Sequence, residues 1–214
     1  MLDDYAARAP EYDLVYAKPE RQSDWRAIEA WLPPVLGQGS VLEVACGTGY
    51  WTRCFAPHVR EVLAFDANPA TLALARQRVP QASVQFVQGD AYALPALPTL
   101  PTCPFDACFA GFWWSHVPRS RLPGFLRGLH ATLRPGARVV FLDNRWVAGS
   151  STPLADTDAE GNTFQCRRLS DGTTHRVLKT FPTPDEVRAQ VHGMASDVQL
   201  DTWPHDWALA YRVN

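Results

Sequence analysis

Val41-Leu42-Glu43-Val44-Ala45-Cys46-Gly47-Thr48-Gly49-Tyr50 reads as a short strand running straight into a glycine turn that opens a helix. Glycines at 47 and 49 let the chain turn tightly and let a ligand approach the main chain with no Cβ in the way. The stretch predicts a small molecule seated on that loop. A glycine pair alone is weak evidence, because turn glycines are common. The reading therefore depends on what surrounds it.

Outward from this point the text alternates. Apolar runs at Glu61 to Phe65, Val84 to Val87, Phe105 to Ala110 and Arg138 to Leu142 follow the first strand. Candidate helices lie between them at about Tyr50 to Phe55, Pro69 to Val79 and Pro123 to Leu133. Repeated strand and helix units predict a parallel sheet covered on both faces, a doubly wound α/β domain. Upstream, Trp25, Ile28, Trp31, Leu32 and Leu36 recur at helical spacing until Pro33-Pro34, Gly37 and Gly39 end the pattern.

Downstream the alternation stops. Thr163 to Leu169 and Thr173 to Phe181 flank Ser170-Asp171-Gly172, a hairpin turn signal that predicts an antiparallel ribbon. Thr183-Pro184-Asp185-Glu186 combines a capping box with proline at the first helical position, so a helix is expected to about His192. Val198 to Trp203 and Trp207 to Val213, split by Pro204-His205-Asp206, predict a second antiparallel pair. Pro95 to Pro104 is expected as loop.

The glycine turn has acidic companions. Asp66 closes the second strand nineteen positions after Gly47, where a carboxylate can accept hydrogen bonds from both hydroxyls of a ribose. Asp90 follows Gly89 at the end of the third strand. Glu43, Asp66 and Asp90 are thus expected at one crevice, the place where open parallel sheets bind ligands.

Composition narrows the partners. The 214 residues are 46% hydrophobic and 20% charged, with a formal net charge of -2, and no segment gathers a basic stripe. A chain of this length buries about 70% of the surface of its unfolded form, enough for one core without disulfides or structural metal. Nucleic acid and membrane surfaces are not expected partners. The N-terminus is acidic and no apolar run reaches the length of a spanning helix, which predicts a cytoplasmic protein. The five cysteines, Cys46, Cys54, Cys103, Cys108 and Cys166, show no C-x-x-C spacing and are expected as reduced, mostly buried thiols with no metal site.

Taken in order, these residues resemble the class I S-adenosylmethionine-dependent methyltransferases. Glu43-Val44-Ala45-Cys46-Gly47-Thr48-Gly49 is similar to the family's first motif, Phe65-Asp66-Ala67-Asn68-Pro69 to its second and Gln88-Gly89-Asp90-Ala91 to its third. Phe105-Asp106-Ala107-Cys108-Phe109-Ala110 resembles the fourth, and Leu133-Arg134-Pro135-Gly136-Ala137-Arg138 the turn before strand five. The resemblance covers about residues 40 to 146. It implies a mostly parallel, seven-stranded Rossmann-like sheet whose last strand is inserted antiparallel between strands five and six, giving an antiparallel C-terminal strand pair. Ala45 stands where many members carry glycine. Thr52 stands where a dinucleotide fingerprint needs a small residue.

The same resemblance implies S-adenosylmethionine as cofactor, S-adenosylhomocysteine as product and no metal. It assigns Gly47 and Gly49 to backbone contacts with the methionine end, with Ala45 and Ala110 beside them, and Glu43 to the loop and ammonium group. Asp66 is assigned to the ribose, Asp90 with the Ala91 amide to the adenine edge, and Ala67 with Tyr92 to the adenine faces. Tyr12, in the stretch Tyr5 to Asp13 that resembles a lid helix, is expected to close over the cofactor. His116 is the candidate general base. Trp113, Trp114 and Trp146 are candidate walls of an acceptor pocket and Arg145 a candidate anion contact, whereas Arg167 and Arg168 read as solvated surface.

The expected protein is one methyltransferase domain, residues 1–214. Its N-terminal lid helices span 1–36, its cofactor core 40–146, its inserted ribbon 160–182, and its C-terminal helix and strand pair 183–214. It acts as monomer or homodimer on a small-molecule acceptor at oxygen or nitrogen. The alternatives are a non-catalytic module that binds S-adenosylmethionine, or a nicotinamide-dependent oxidoreductase.

Overall fold

In the computed structural model, residues 12–94, 104–168 and 172–214 are described, with only the backbone described at Tyr12 and Leu14. The expected lid residues before 12, the expected loop through 95–103 with Cys103, and the Ser170-Asp171 turn lie outside the described residues. Seven strands form one sheet: β1 (Ser40–Val44), β2 (Glu61–Asp66), β3 (Val84–Gln88), β4 (Phe105–Gly111), β5 (Leu133–Asn144), β9 (Ala195–Thr202) and β10 (Asp206–Val213). Their order is β3-β2-β1-β4-β5-β10-β9. β10 runs antiparallel to both β5 and β9, while β1 to β5 pair parallel, so the antiparallel insertion expected for the last strand is present.

Alternating side chains divide the core between the two sheet faces. On one face Val41, Ala64, Phe109 and Val140 pack under α1 (Gln22–Leu36), α2 (Thr52–Phe55) and α3 (Pro69–Arg78). Trp25, Ile28, Leu32 and Leu36 of α1 supply the apolar stripe its spacing implied, and the helix runs through Pro33-Pro34 before Gly37 ends it with φ +80°. On the other face Leu42, Val44, Phe65, Val139 and Phe141 pack under α4 (Leu122–His130) and α5 (Pro184–Val191). β1 is buried at all five positions, as a central parallel strand must be.

The C-terminal third follows its local signals. Thr183 caps α5 with both halves of the capping box formed. The inserted ribbon is a separate three-stranded sheet of β6 (Asp156–Thr157), β7 (Thr163–Arg168) and β8 (Thr174–Leu178). The four described cysteines are free thiols, Cys46 and Cys108 buried and Cys166 exposed. Among the described residues no helix is long and apolar enough to cross a membrane.

Candidate functional site

The chain leaves β1 toward β2 and β3 on one side and returns to β4 and β5 on the other, so the strand order reverses beside β1. At such a switch point the loops beyond the strand ends diverge and leave a crevice. Here the crevice is a cavity of about 330 Å³. It is lined from β1 by Ala45 and Gly47, from β2 by Asp66, Ala67 and Asn68, from β3 by Gly89, Asp90, Ala91 and Tyr92, and from β4 by Gly111, Phe112, Trp113 and His116.

The glycine turn is built by left-handed backbone at Ala45 (φ +54°), Gly47 (φ +55°) and Gly49 (φ +73°). The two glycines do different work. Gly47 lines the cavity and donates its amide to Asp66 Oδ2 at 2.9 Å. Gly49 faces away, and a Cβ there would lie 3.2 Å from Ala75 of α3, so it is the close approach of helix and loop that requires glycine.

Asp66 is the hub of the site. Besides Gly47, it accepts from the Asn68 amide at 2.9 Å and from Thr71 Oγ1 at 3.3 Å, both on Oδ1. Burial raises its pKa, and the Asn68 and Gly47 amides pull it back down. Oδ2 carries a single one of these bonds, which leaves capacity for a ligand hydroxyl. Asp90 caps a single turn through the Tyr92 amide at 2.9 Å and is exposed at the cavity rim.

Several expected site residues stand elsewhere. Glu43 does not line the cavity: it is 2% exposed behind the turn and accepts from Thr52 Oγ1 at 2.6 Å. Burial raises its pKa to about 8, opposed by that hydrogen bond. Ala110 is fully buried in the core, and Gly111 takes its place on the wall. Trp114 is likewise a core residue, set edge-on to Phe141 and Trp207. Arg145 is exposed and donates to Trp203 O at 2.8 Å, and Trp146 is 48% exposed; neither reaches the cavity. The Tyr12 side chain lies outside the described residues, although its backbone opens a short 3-10 helix, Tyr12–Ala17. That segment rests on the glycine turn, with Thr48 Oγ1 donating to Asp13 at 2.7 Å, Arg78 paired with Asp13, and Tyr16 stacked on Tyr50.

The lining residues missed by sequence reasoning are Phe65, Asn68, Thr71, Gly89, Gly111 and Phe112. Asn68-Pro69 is a helix N-cap signature that points to Asn68, whose Oδ1 accepts from Ala70 N at 2.9 Å. Phe112 holds φ +57°, a strained value for a phenylalanine that nothing in the local sequence announces.

The residues present fit a purine nucleoside bearing a cationic tail. Asn68 and Trp113 line the cavity as residues, while Asn68 Nδ2 and Trp113 Nε1 themselves are buried without a hydrogen-bond partner among the described residues. The carboxylates of Asp66 and Asp90 accept from hydroxyls and amines, and Tyr92, Phe112 and Trp113 add an aromatic lining of the kind that attracts a cation, although one face of Tyr92 is already covered by the Arg121 guanidinium at 3.4 Å.

A family model described as a methyltransferase domain matches residues 41–136. Malonyl-[acyl-carrier protein] O-methyltransferase of Pectobacterium atrosepticum is 30% identical over 199 residues, covering 91% of this chain and 69% of that protein. The same-named protein of Serratia marcescens is 34% identical over 131 residues, 57% of this chain and 46% of its own length. The 2-phytyl-1,4-naphtoquinone methyltransferase of Synechococcus elongatus is 34% identical over 110 residues, 48% of this chain and 45% of its own. The chain thus spans about half the length of most of the curated relatives it matches. Among solved structures, the DhpI-SAH complex superposes with a TM-score of 0.80 at 29% identity, covering 100% of this chain and 95% of the other. The DhpI-SAM-HEP complex gives 0.81 at 28%, covering 99% and 95%. The chain belongs to the class I S-adenosylmethionine-dependent methyltransferases.

Proposed function

We propose that this protein transfers the methyl group of S-adenosylmethionine to an oxygen or nitrogen of a small-molecule acceptor and releases S-adenosylhomocysteine. The observation that carries the reading is the convergence of four adjacent strand ends on one cavity whose central carboxylate, Asp66, is fixed by the Gly47 and Asn68 amides. When bound, the cofactor supplies a methyl group on a sulfonium sulfur, an electrophile that a lone pair displaces in line.

Gly47 and Ala45 flank the methionine end, Asp66 holds the ribose hydroxyls, and Asp90 with the Ala91 amide meets the adenine edge. Ala67 and Tyr92 enclose the ring. Phe112 and Trp113 form an aromatic wall that excludes water, so positioning contributes much of the rate enhancement. His116 takes the proton that the acceptor oxygen or nitrogen loses as its bond to carbon forms. We read the whole chain as one domain working in this way. An oxygen acceptor is supported by relatives whose names specify O-methylation.

Calorimetric titration with S-adenosylhomocysteine tests the cofactor, and the expected result is one site per chain. Incubation with methyl-labelled cofactor and a metabolite extract, followed by mass spectrometry, tests the transfer. Tight binding with no labelled product from any extract or metabolite panel overturns the enzymatic reading in favour of a binding module.

A further inference from the structure

The geometry points to a clamp: the end of β8, Leu178 with Lys179 and Thr180, holds the His116 ring in one tautomer with Nε2 as its basic nitrogen, and Lys179 and Asp143 act as positioning residues. This deepens the reading of His116 as proton acceptor and rests on it.

His116 closes a single turn, Trp114–His116, that follows β4 and brings the ring to the cavity wall. Its Nδ1 lies 2.6 Å from Leu178 O. A carbonyl oxygen only accepts, so Nδ1 carries the hydrogen in that contact. A neutral imidazole has one N–H, which leaves the lone pair on Nε2. Free histidine in water prefers the opposite tautomer, so the ribbon reverses an intrinsic preference.

The next two ribbon residues grip the same turn. Thr180 N donates to Ser115 O at 2.9 Å. Lys179 Nζ donates to Ser115 Oγ at 2.6 Å and to Asp143 Oδ1 at 2.9 Å. Asp143, near the end of β5, accepts in turn from Ser115 N at 2.8 Å and from Ser115 Oγ at 2.9 Å. Each of these bonds runs in a consistent direction, with N–H and O–H groups donating and oxygens accepting.

The cost of the arrangement argues for its purpose. Asp143 is 0% and Lys179 4% exposed. Burial of an ion pair is weak as a source of stability, because desolvation of both charges offsets their attraction and an apolar pair of the same volume packs as well. Burial lowers the Lys179 pKa and the Asp143 charge opposes that shift. What a charged pair offers that an apolar pair lacks is direction: it sets where Ser115 sits, and therefore where the neighbouring imidazole sits against Leu178 O.

The test uses the full chain with ¹⁵N-labelled histidine, reading tautomers from two-bond proton–nitrogen correlations and assigning His116 by its loss in His116→Gln. Wild type is expected to show Nδ1–H at His116. The double variant Lys179→Met, Asp143→Leu, which removes both charges together, is expected to lose that pattern, whereas Lys179→Arg keeps it. Unchanged affinity for S-adenosylhomocysteine and unmoved signals from the other histidines establish that the double variant is folded. If it does not fold, Ser115→Ala, which removes the hydroxyl shared by Lys179 and Asp143 while leaving both charges paired and the backbone bonds of residue 115 in place, is expected to weaken the pattern. An Nε2–H signal in wild type, or an Nδ1–H pattern that survives in the double variant or in Ser115→Ala, overturns the clamp. Failure of wild type to bind S-adenosylhomocysteine sinks the methyltransferase reading and leaves the tautomer result standing.

Discussion

The amide of Gly47 donates to Asp66 Oδ2 at 2.9 Å, which makes the turn after β1 and the carboxylate closing β2 a single unit. Asp66→Ala deprives Gly47 N, Asn68 N and Thr71 Oγ1 of their shared acceptor and removes the partner of the ligand's hydroxyls. Hydrogen bonds to a charged group are worth about 1.5–3 kcal/mol, so affinity for S-adenosylhomocysteine is expected to fall roughly 10- to 150-fold. Isothermal calorimetry reads the change directly, and an unaltered Kd refutes the assignment.

Glu43 makes a prediction about pH. Burial lifts its folded-state pKa to about 8 from an ordinary value of 4.5. Between those limits the folded protein keeps the proton and the unfolded chain loses it, so the native state binds more protons and stability falls as pH rises. Glu43→Gln removes that titration while keeping an acceptor for Thr52 Oγ1. Thermal melts between pH 5 and 8 are expected to show the wild-type Tm dropping more steeply than the variant's. Parallel curves would mean that Glu43 is ionised in the folded protein.

What the sequence made legible was local. Strand β1, the glycine turn, Asp66 and Asp90 follow one another through short strand–turn–helix units whose signals lie within a few residues, and Ala45, Gly47, Asp66 and Asp90 line the cavity while Glu43 and Gly49 do not. The errors arose where a side chain's direction depends on its neighbours in space. Trp113 and Trp114 are adjacent in a tight turn, so one ring faces the cavity and the next is driven into the core. Glu43 alternates with Leu42 and Val44 along β1, which points it at α2 rather than over the strand end. Arg145 and Trp146 follow β5, but the chain there turns along the 203–205 loop, as the bond from Arg145 N to His205 O shows. No local pattern encodes that pairing. The clamp on His116 joins residues more than sixty positions apart and was equally invisible.

Ala45 carries strain that glycine would relieve. An L-residue in the left-handed region costs about 1–2 kcal/mol, and Ala45 sits there at φ +54°. Glycine gives back roughly 0.5–1 kcal/mol through the greater freedom of its unfolded chain. The net expectation for Ala45→Gly is a gain of about 0.5–1 kcal/mol, a rise in Tm of roughly 1–4 °C. A fall in Tm would show that the Ala45 methyl packs against its neighbours by more than its backbone strain costs.

The two tryptophans at 114 and 146 separate core from surface most sharply. Trp114 is 3% exposed and stands edge-on to Phe141 at 5.0 Å and Trp207 at 5.9 Å, whereas Trp146 is 48% exposed. Truncating a buried aromatic removes its transfer energy and leaves a cavity the rigid sheet cannot close, so Trp114→Ala is expected to cost about 3–5 kcal/mol. Trp146→Ala is expected to change stability by no more than about 0.5 kcal/mol. Urea melts measure both. If Trp146 instead lined an acceptor pocket, its truncation would leave stability alone and raise KM for the acceptor. If Trp114 did, its loss would weaken acceptor binding in a chain that stayed folded, which its position between Phe141 and Trp207 makes physically untenable.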